Sequence, residues 1–108
     1  MFARRLALSG LVGVVLMRAL PAKAAPVEIS IDNYAFMPEI LKVATGTMVT
    51  FTNRDDMPHT VVSTAMPPLF KSKPLDTGDS FSFSFDKPGR YMYFCGLHPY
   101  MKGTVEVA

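Results

Sequence analysis

The residues best suited to chemistry lie in one short stretch near the carboxyl end of the sequence. Cys95, His98 and Met101 follow one another at intervals of three, and Cys95 is the only cysteine among the 108 residues. His59, the other of the two histidines, follows a proline and opens a run rich in β-branched residues. A thiolate, two imidazoles and a thioether together form the ligand set of a blue-copper electron-transfer site.

Each of these residue types also has a common structural role. A single cysteine often acts as a small buried hydrophobe, and methionine often fills gaps in a core. The combination of these residues in one β-rich chain favours metal binding over those roles. Zinc also binds cysteine and histidine, but methionine is a poor zinc ligand. A Cys-His hydrolase is disfavoured because the sequence offers no evident third group that would orient the histidine.

The elements that must position these ligands are predicted to be β-strands. Ser80–Phe85 alternates most regularly, with three phenylalanines on one face and three serines on the other. The sequence predicts seven short strands, at 27–32, 40–43, 47–53, 59–63, 80–85, 90–94 and 103–107. The proline-containing segment 65–78 is predicted to be a long irregular connection with room for one turn of helix. This spacing of strands and turns indicates an antiparallel sandwich with a Greek-key path.

Residues 1–24 are predicted to be a secretory signal peptide rather than part of the fold. A short basic start precedes about a dozen apolar residues, too few to span a bilayer, and small residues then form an A-x-A cleavage site. We expect cleavage after Ala24, which leaves 25–108 as a single domain. The export route, Sec or Tat, stays open despite the Arg4-Arg5 pair.

The net charge changes sign when this segment is removed. The whole chain carries 11 basic and 9 acidic residues, a net charge of +2. Four basic residues and no acidic residue precede position 25, so the mature chain would carry 7 basic and 9 acidic residues. Because the remaining basic residues are scattered, we expect neither nucleic-acid binding nor stable membrane association. An exported protein could form disulfides, but one cysteine can form none within the chain.

Three stretches of the sequence resemble the cupredoxins, the small blue-copper proteins. They are the ligand stretch 91–103, the tripeptide 57–59 and the turn 85–91. Within the ligand stretch only two residues separate His98 from Met101, which is similar to amicyanin, whereas plastocyanin and pseudoazurin have a longer gap. The resemblance covers nearly the whole of the predicted mature chain.

The resemblance implies an all-β, Greek-key cupredoxin sandwich of seven to eight strands that binds one type-1 copper ion. Its equatorial ligands would be His59, Cys95 and His98, and its axial ligand would be Met101. Such a protein transfers single electrons as copper cycles between Cu(II) and Cu(I), so it is not strictly an enzyme. We expect a periplasmic monomer.

The expected partners are redox proteins such as a dehydrogenase or a c-type cytochrome. In the family, partners dock on an apolar patch around the second histidine ligand. The equivalent docking patch here would comprise Leu97, His98, Pro99 and Tyr100, with Met57 and Pro58 nearby. Short loops of this kind sometimes release that histidine from reduced copper at low pH. The alternative function is a periplasmic copper carrier or buffer, in which further methionines would supply soft ligands.

Two positions depart from the common family pattern. Many cupredoxins have asparagine after the first ligand histidine, and serine or threonine after the cysteine, and these side chains tie the two ligand loops together. The corresponding residues here are Thr60 and Gly96. Because hydrogen bonds around the ligands orient them and tune the metal, we expect a looser link between the loops and an altered reduction potential.

Overall fold

Eight β-strands make up the regular structure of residues 25–108, the part of the chain that the computed structural model describes. They are β1 (Val27–Asp32), β2 (Ala35–Met37), β3 (Ile40–Val43), β4 (Thr47–Asn53), β5 (Val62–Ser63), β6 (Ser80–Phe85), β7 (Gly89–Phe94) and β8 (Lys102–Val107). One four-stranded sheet has the order β2-β1-β4-β6 and the other the order β3-β8-β7-β5. The prediction of an all-β sandwich is confirmed. The predicted signal peptide lies outside the described residues.

Two strand pairs depart from the predicted antiparallel arrangement. β1 runs parallel to β4, and β3 runs parallel to β8. The parallel pairing arises because β3 belongs to the second sheet and not to the first. The chain leaves the first sheet after β2 and returns beside β1 as β4, running in the same direction as β1. Across residues 25–108, no helix is long and apolar enough to cross a membrane.

The core between the sheets contains the apolar faces that the alternating sequence predicts. On β4, Val49 and Phe51 are buried and lie opposite Phe83 and Phe81 of β6. The Tyr93 ring of β7 packs nearly perpendicular to Phe51, with 5.2 Å between ring centroids. Aromatic packing between β4 and β7 therefore fixes the two strands whose ends lead into the ligand residues.

The strand predicted at 59–63 forms only in part. β5 contains only Val62 and Ser63, and His59 instead forms an isolated antiparallel bridge with Leu75. The 65–78 connection is irregular, as predicted, and contains turns and bends but no helical turn. It folds back along the residues that follow His59, because Leu75 and His59 exchange two backbone hydrogen bonds of 2.7 and 3.1 Å. This connection therefore covers the buried side of the candidate site.

Candidate metal centre

Three of the four predicted ligands converge where the chain leaves β4 and β7. The Sγ atom of Cys95 lies 3.7 Å from Nδ1 of His59 and 3.7 Å from Nδ1 of His98. The three donor atoms all lie within 4.8 Å of one another. Cys95 and His59 are fully buried, whereas His98 is partly exposed. A thiol and two imidazoles thus lie together, and of the three only His98 is partly open to solvent.

The tight turn of the 95–101 loop results from its own backbone hydrogen bonds. The Cys95 amide donates to the Met101 carbonyl at 3.1 Å, which closes the loop at its base. The His98 backbone amide donates to the Cys95 carbonyl at 3.2 Å, and the Met101 backbone amide donates to the His98 carbonyl at 2.9 Å. The Met101 side chain is buried with the core residues. Two successive turns, which connect the end of β7 to the start of β8, therefore account for the three-residue spacing of Cys95, His98 and Met101.

Asp55 orients the buried ligand His59, and sequence reasoning missed it. Its Oδ2 atom lies 2.9 Å from Nε2 of His59. The carboxylate can only accept there, so Nε2 carries the proton and Nδ1 keeps a free lone pair toward Cys95. The hydrogen bond from His59, followed by one from the backbone of Tyr34, lowers the pKa of Asp55. A carboxylate that holds a ligand histidine in this way is common around protein-bound metals.

Hydrogen bonds link the two ligand loops, although neither polar side chain of the common family pattern is present, and the expectation of a looser link than in relatives stays a prediction. The Gly96 amide donates a hydrogen bond of 2.7 Å to Oγ1 of Thr60. The Thr60 amide in turn points at Sγ of Cys95, at 3.4 Å. The two loops are therefore linked by a hydrogen bond from a backbone amide to a side-chain oxygen. The sequence does not reveal this link, because a backbone amide is present at every residue except proline. The altered reduction potential stays a prediction.

The donor set fits copper better than zinc. Thiolate and thioether sulfur suit Cu(I), and imidazole suits Cu(II), so both oxidation states find suitable donors. Structural zinc sites are usually completed by a fourth cysteine, histidine or carboxylate. In residues 25–108 the cluster of such groups contains only His59, Cys95 and His98, and the next candidate along the loop is the thioether of Met101.

Comparison with known proteins gives the same assignment. Residues 5–107 match the family model of the cupredoxin-like domain. Amicyanin-alpha of Methylorubrum extorquens is 34% identical over 89 residues, which are 80% of this chain and 75% of that protein. Chloroplastic plastocyanin of Physcomitrium patens is 36% identical over 106 residues, covering 86% of this chain and 63% of that one. A purple cupredoxin from Nitrosopumilus maritimus superposes with a TM-score of 0.72 at 37% identity, over 76% of this chain and 99% of the other. The chain therefore belongs to the cupredoxin family and is a type-1 copper protein.

Proposed function

We propose that this chain transfers single electrons between redox proteins of the periplasm. His59, Cys95 and His98 are the proposed equatorial ligands of the copper ion, and Met101 is the proposed axial ligand. The observation that carries the proposal is the placement of the Cys95 sulfur 3.7 Å from Nδ1 of both histidines. When bound there, copper would supply one-electron Cu(II)/Cu(I) chemistry. No substrate bond changes in such a transfer, so the proposed function is not enzymatic.

The protein contributes a rigid set of donors. His59 is held by Asp55 and by its backbone bridge to Leu75, while the hydrogen bonds of the 95–101 loop hold Cys95. Donor atoms that the surrounding protein holds in this way keep nearly the same positions in both oxidation states of copper. The electron then moves with little rearrangement of the protein, which is the requirement for fast transfer.

The docking patch supports transient contact with a partner. Leu97 and Tyr100 are exposed on either side of His98, and Met57 is also exposed. His98 is the one partly exposed member of the donor cluster, so an electron has its shortest protein route to the surface there. Small apolar surfaces suit the brief encounters of redox proteins. We propose a dehydrogenase or a c-type cytochrome as the partner, and a monomer as the functional form.

The test is the spectrum of the purified protein loaded with Cu(II). We expect the intense visible absorption and the narrow copper hyperfine splitting in EPR that a Cu(II)–thiolate bond produces. Cys95→Ser should abolish both signals. Met66→Leu serves as the control for Met101→Leu, because Met66 is 91% exposed whereas Met101 is buried, and only the second change should alter the spectrum. A colourless copper-loaded protein, or colour that survives Cys95→Ser, would contradict the type-1 assignment.

A copper carrier is the second candidate, because five methionine side chains are exposed within residues 25–108. They are Met37, Met48, Met57, Met66 and Met92. These residues lie on different strands and loops, so the exposed thioethers do not form one continuous stretch of the chain. A carrier would pass Cu(I) readily to an acceptor, whereas an electron carrier would retain copper through repeated oxidation and reduction. Measuring the ratio of bound copper to protein after such cycles distinguishes the two functions.

A further inference from the structure

The ring of Tyr34 packs against both histidines of the metal centre. Its centroid lies 5.0 Å from that of His98 and 5.5 Å from that of His59. The interplanar angles are 84° and 89°, so the rings meet nearly at right angles, which is a favourable geometry for aromatic pairs. Tyr34 belongs to the turn between β1 and β2, far in sequence from both histidines.

The backbone holds Tyr34 in this position in spite of an unfavourable conformation. Asn33 and Tyr34 have φ angles of 51° and 59°, in the left-handed region that bulky residues seldom occupy. The Tyr34 amide donates a hydrogen bond of 3.0 Å to Oδ2 of Asp55. The same oxygen accepts the hydrogen bond from Nε2 of His59. One carboxylate oxygen thus links the turn that carries Tyr34 to a ligand residue.

The two histidines differ in how firmly the rest of the protein holds them. His59 is fully buried and is hydrogen-bonded to Asp55. His98 lies in a surface loop, and within residues 25–108 its ring has Cys95 as its only hydrogen-bonding neighbour. Packing must therefore set the orientation of the His98 ring. Tyr34 is the exposed aromatic residue closest to it, since the Tyr100 centroid lies farther away, at 6.3 Å.

We propose that Tyr34 is a positioning residue that keeps the His98 imidazole turned toward the metal, an inference that rests on the proposed copper-binding function. The ring acts by packing, so its hydroxyl is dispensable. Without the ring, His98 would rotate away more often, and copper held by fewer donors during those intervals would be released faster. The expected change is about tenfold in the rate of copper release, the size of one lost aromatic pair.

The experiment measures capture of Cu(I) from the reduced protein by an excess of bathocuproine disulfonate. Tyr34→Ala should release copper about tenfold faster than the parent protein. Tyr34→Gly is the second variant, because glycine accepts the positive φ and keeps the turn folded if alanine does not. Tyr34→Phe should behave as the parent does. Tyr100→Ala is the matched control, since Tyr100 is 68% exposed and also packs against His98.

A metal-free measurement separates this inference from the copper function itself. NMR relaxation of the imidazole groups in the apoprotein should show greater mobility of the His98 ring in Tyr34→Ala and Tyr34→Gly, with little change at His59. Release rates and ring mobility equal to those of the parent protein in both Tyr34→Ala and Tyr34→Gly would overturn the role of Tyr34, even if the parent protein shows the type-1 spectrum. A parent protein without that spectrum, but with a His98 ring loosened in the variants, would refute the copper function and leave the positioning role intact. Loss of positioning in Tyr34→Phe would refute packing as the cause.

Discussion

Asp55 acts on the candidate metal centre through its hydrogen bond to His59. We expect Asp55→Ala to lower copper affinity by about 10- to 100-fold, the usual cost of removing an outer partner of a ligand histidine. The physical reason is that His59 then loses the acceptor that fixes its Nε2 proton. Competition titration of copper against a chelator measures the effect.

Asp56→Ala is the control for that prediction. Asp56 is the neighbouring carboxylate and is exposed, and within residues 25–108 it is Asp55 and not Asp56 that accepts the hydrogen bond of His59 Nε2. Equal affinities for the two variants would show that Asp55 does not orient the ligand.

A second prediction at this scale concerns the bond between the ligand loops. Thr60→Val removes the oxygen that accepts the Gly96 amide at 2.7 Å. Gly96 is exposed, so water can replace part of the lost hydrogen bond, and we expect the free energy of unfolding of the apoprotein to fall by about 0.5–1.5 kcal/mol. Denaturant titration measures it. Thr60→Ser keeps the hydroxyl and should restore most of the stability, and a serine variant as unstable as the valine variant would argue against this hydrogen bond as the cause.

The sequence predicted the ligand residues but not the residues that orient them. His59, Cys95 and His98 could be identified because their residue types are rare in this chain. Aspartate and tyrosine are common surface residues, so Asp55 and Tyr34 carry no such signal. Asp55 lies only four positions from His59, but an aspartate near a histidine does not by itself indicate a contact. The role of Tyr34 depends on a turn with positive φ angles and on a hydrogen bond to Asp55 across 21 positions of sequence, which no local pattern reveals.

At the scale of strands, β7 and β8 leave no room for a side chain at Gly103. Gly103 of β8 pairs with Tyr93 of β7, and a Cβ atom at Gly103 would lie 2.2 Å from the Tyr93 hydroxyl oxygen. The ring cannot move aside easily, because Phe36 and Phe51 pack against it. We expect Gly103→Ala to lower the free energy of unfolding by about 1–3 kcal/mol or more, measured by denaturant titration. In a Tyr93→Ala background the same change should cost much less, and an equal cost would refute the steric explanation.

The hydroxyl groups of two tyrosines on β7 provide a matched pair. The Tyr93 hydroxyl is buried and has no hydrogen-bond partner in the described part of the chain, and burial raises its pKa. The Tyr91 hydroxyl donates to the Lys87 carbonyl at 2.7 Å. We therefore expect Tyr93→Phe to leave stability unchanged or to raise it by about 1 kcal/mol, and Tyr91→Phe to lower it slightly. Thermal unfolding of the two variants and the parent protein, all without metal, measures these stability changes. A Tyr93→Phe variant less stable than the parent protein would contradict the prediction.

A strand could be predicted from the sequence where enough of its own residues alternate between apolar and polar. Ser80–Phe85 was predicted in full, because strict alternation places every phenylalanine on one face. β2 was missed, because its three residues are too few to show a period. The strand predicted from His59 was too long at its start, since His59 pairs with Leu75 and not with a neighbouring strand.

At the scale of the whole molecule, the candidate metal centre lies where the chain crosses between the two sheets. His59 lies between β4 of the first sheet and β5 of the second, and Cys95 and His98 follow β7 of the second. A ligand that binds only the folded state stabilises it, by about 2.7 kcal/mol at one hundred times the dissociation constant. We expect bound copper to raise the melting temperature of the parent protein, measured by thermal unfolding with and without the metal. An equal increase in Cys95→Ser would show that copper stabilises the protein at some other place.

The parallel pairing of β1 with β4 also determines which way the molecule can be attached to a surface. β1 begins at the end of the sandwich where β4 begins, and β4 runs from there toward the metal centre. β8 starts at the ligand loop and runs away from it, so Val27 and Val107 both lie at the end opposite the donor cluster. A tether joined at either position would therefore leave the docking patch facing solution. The protein could be immobilised on an electrode, or fused to another domain, with the proposed docking patch still accessible.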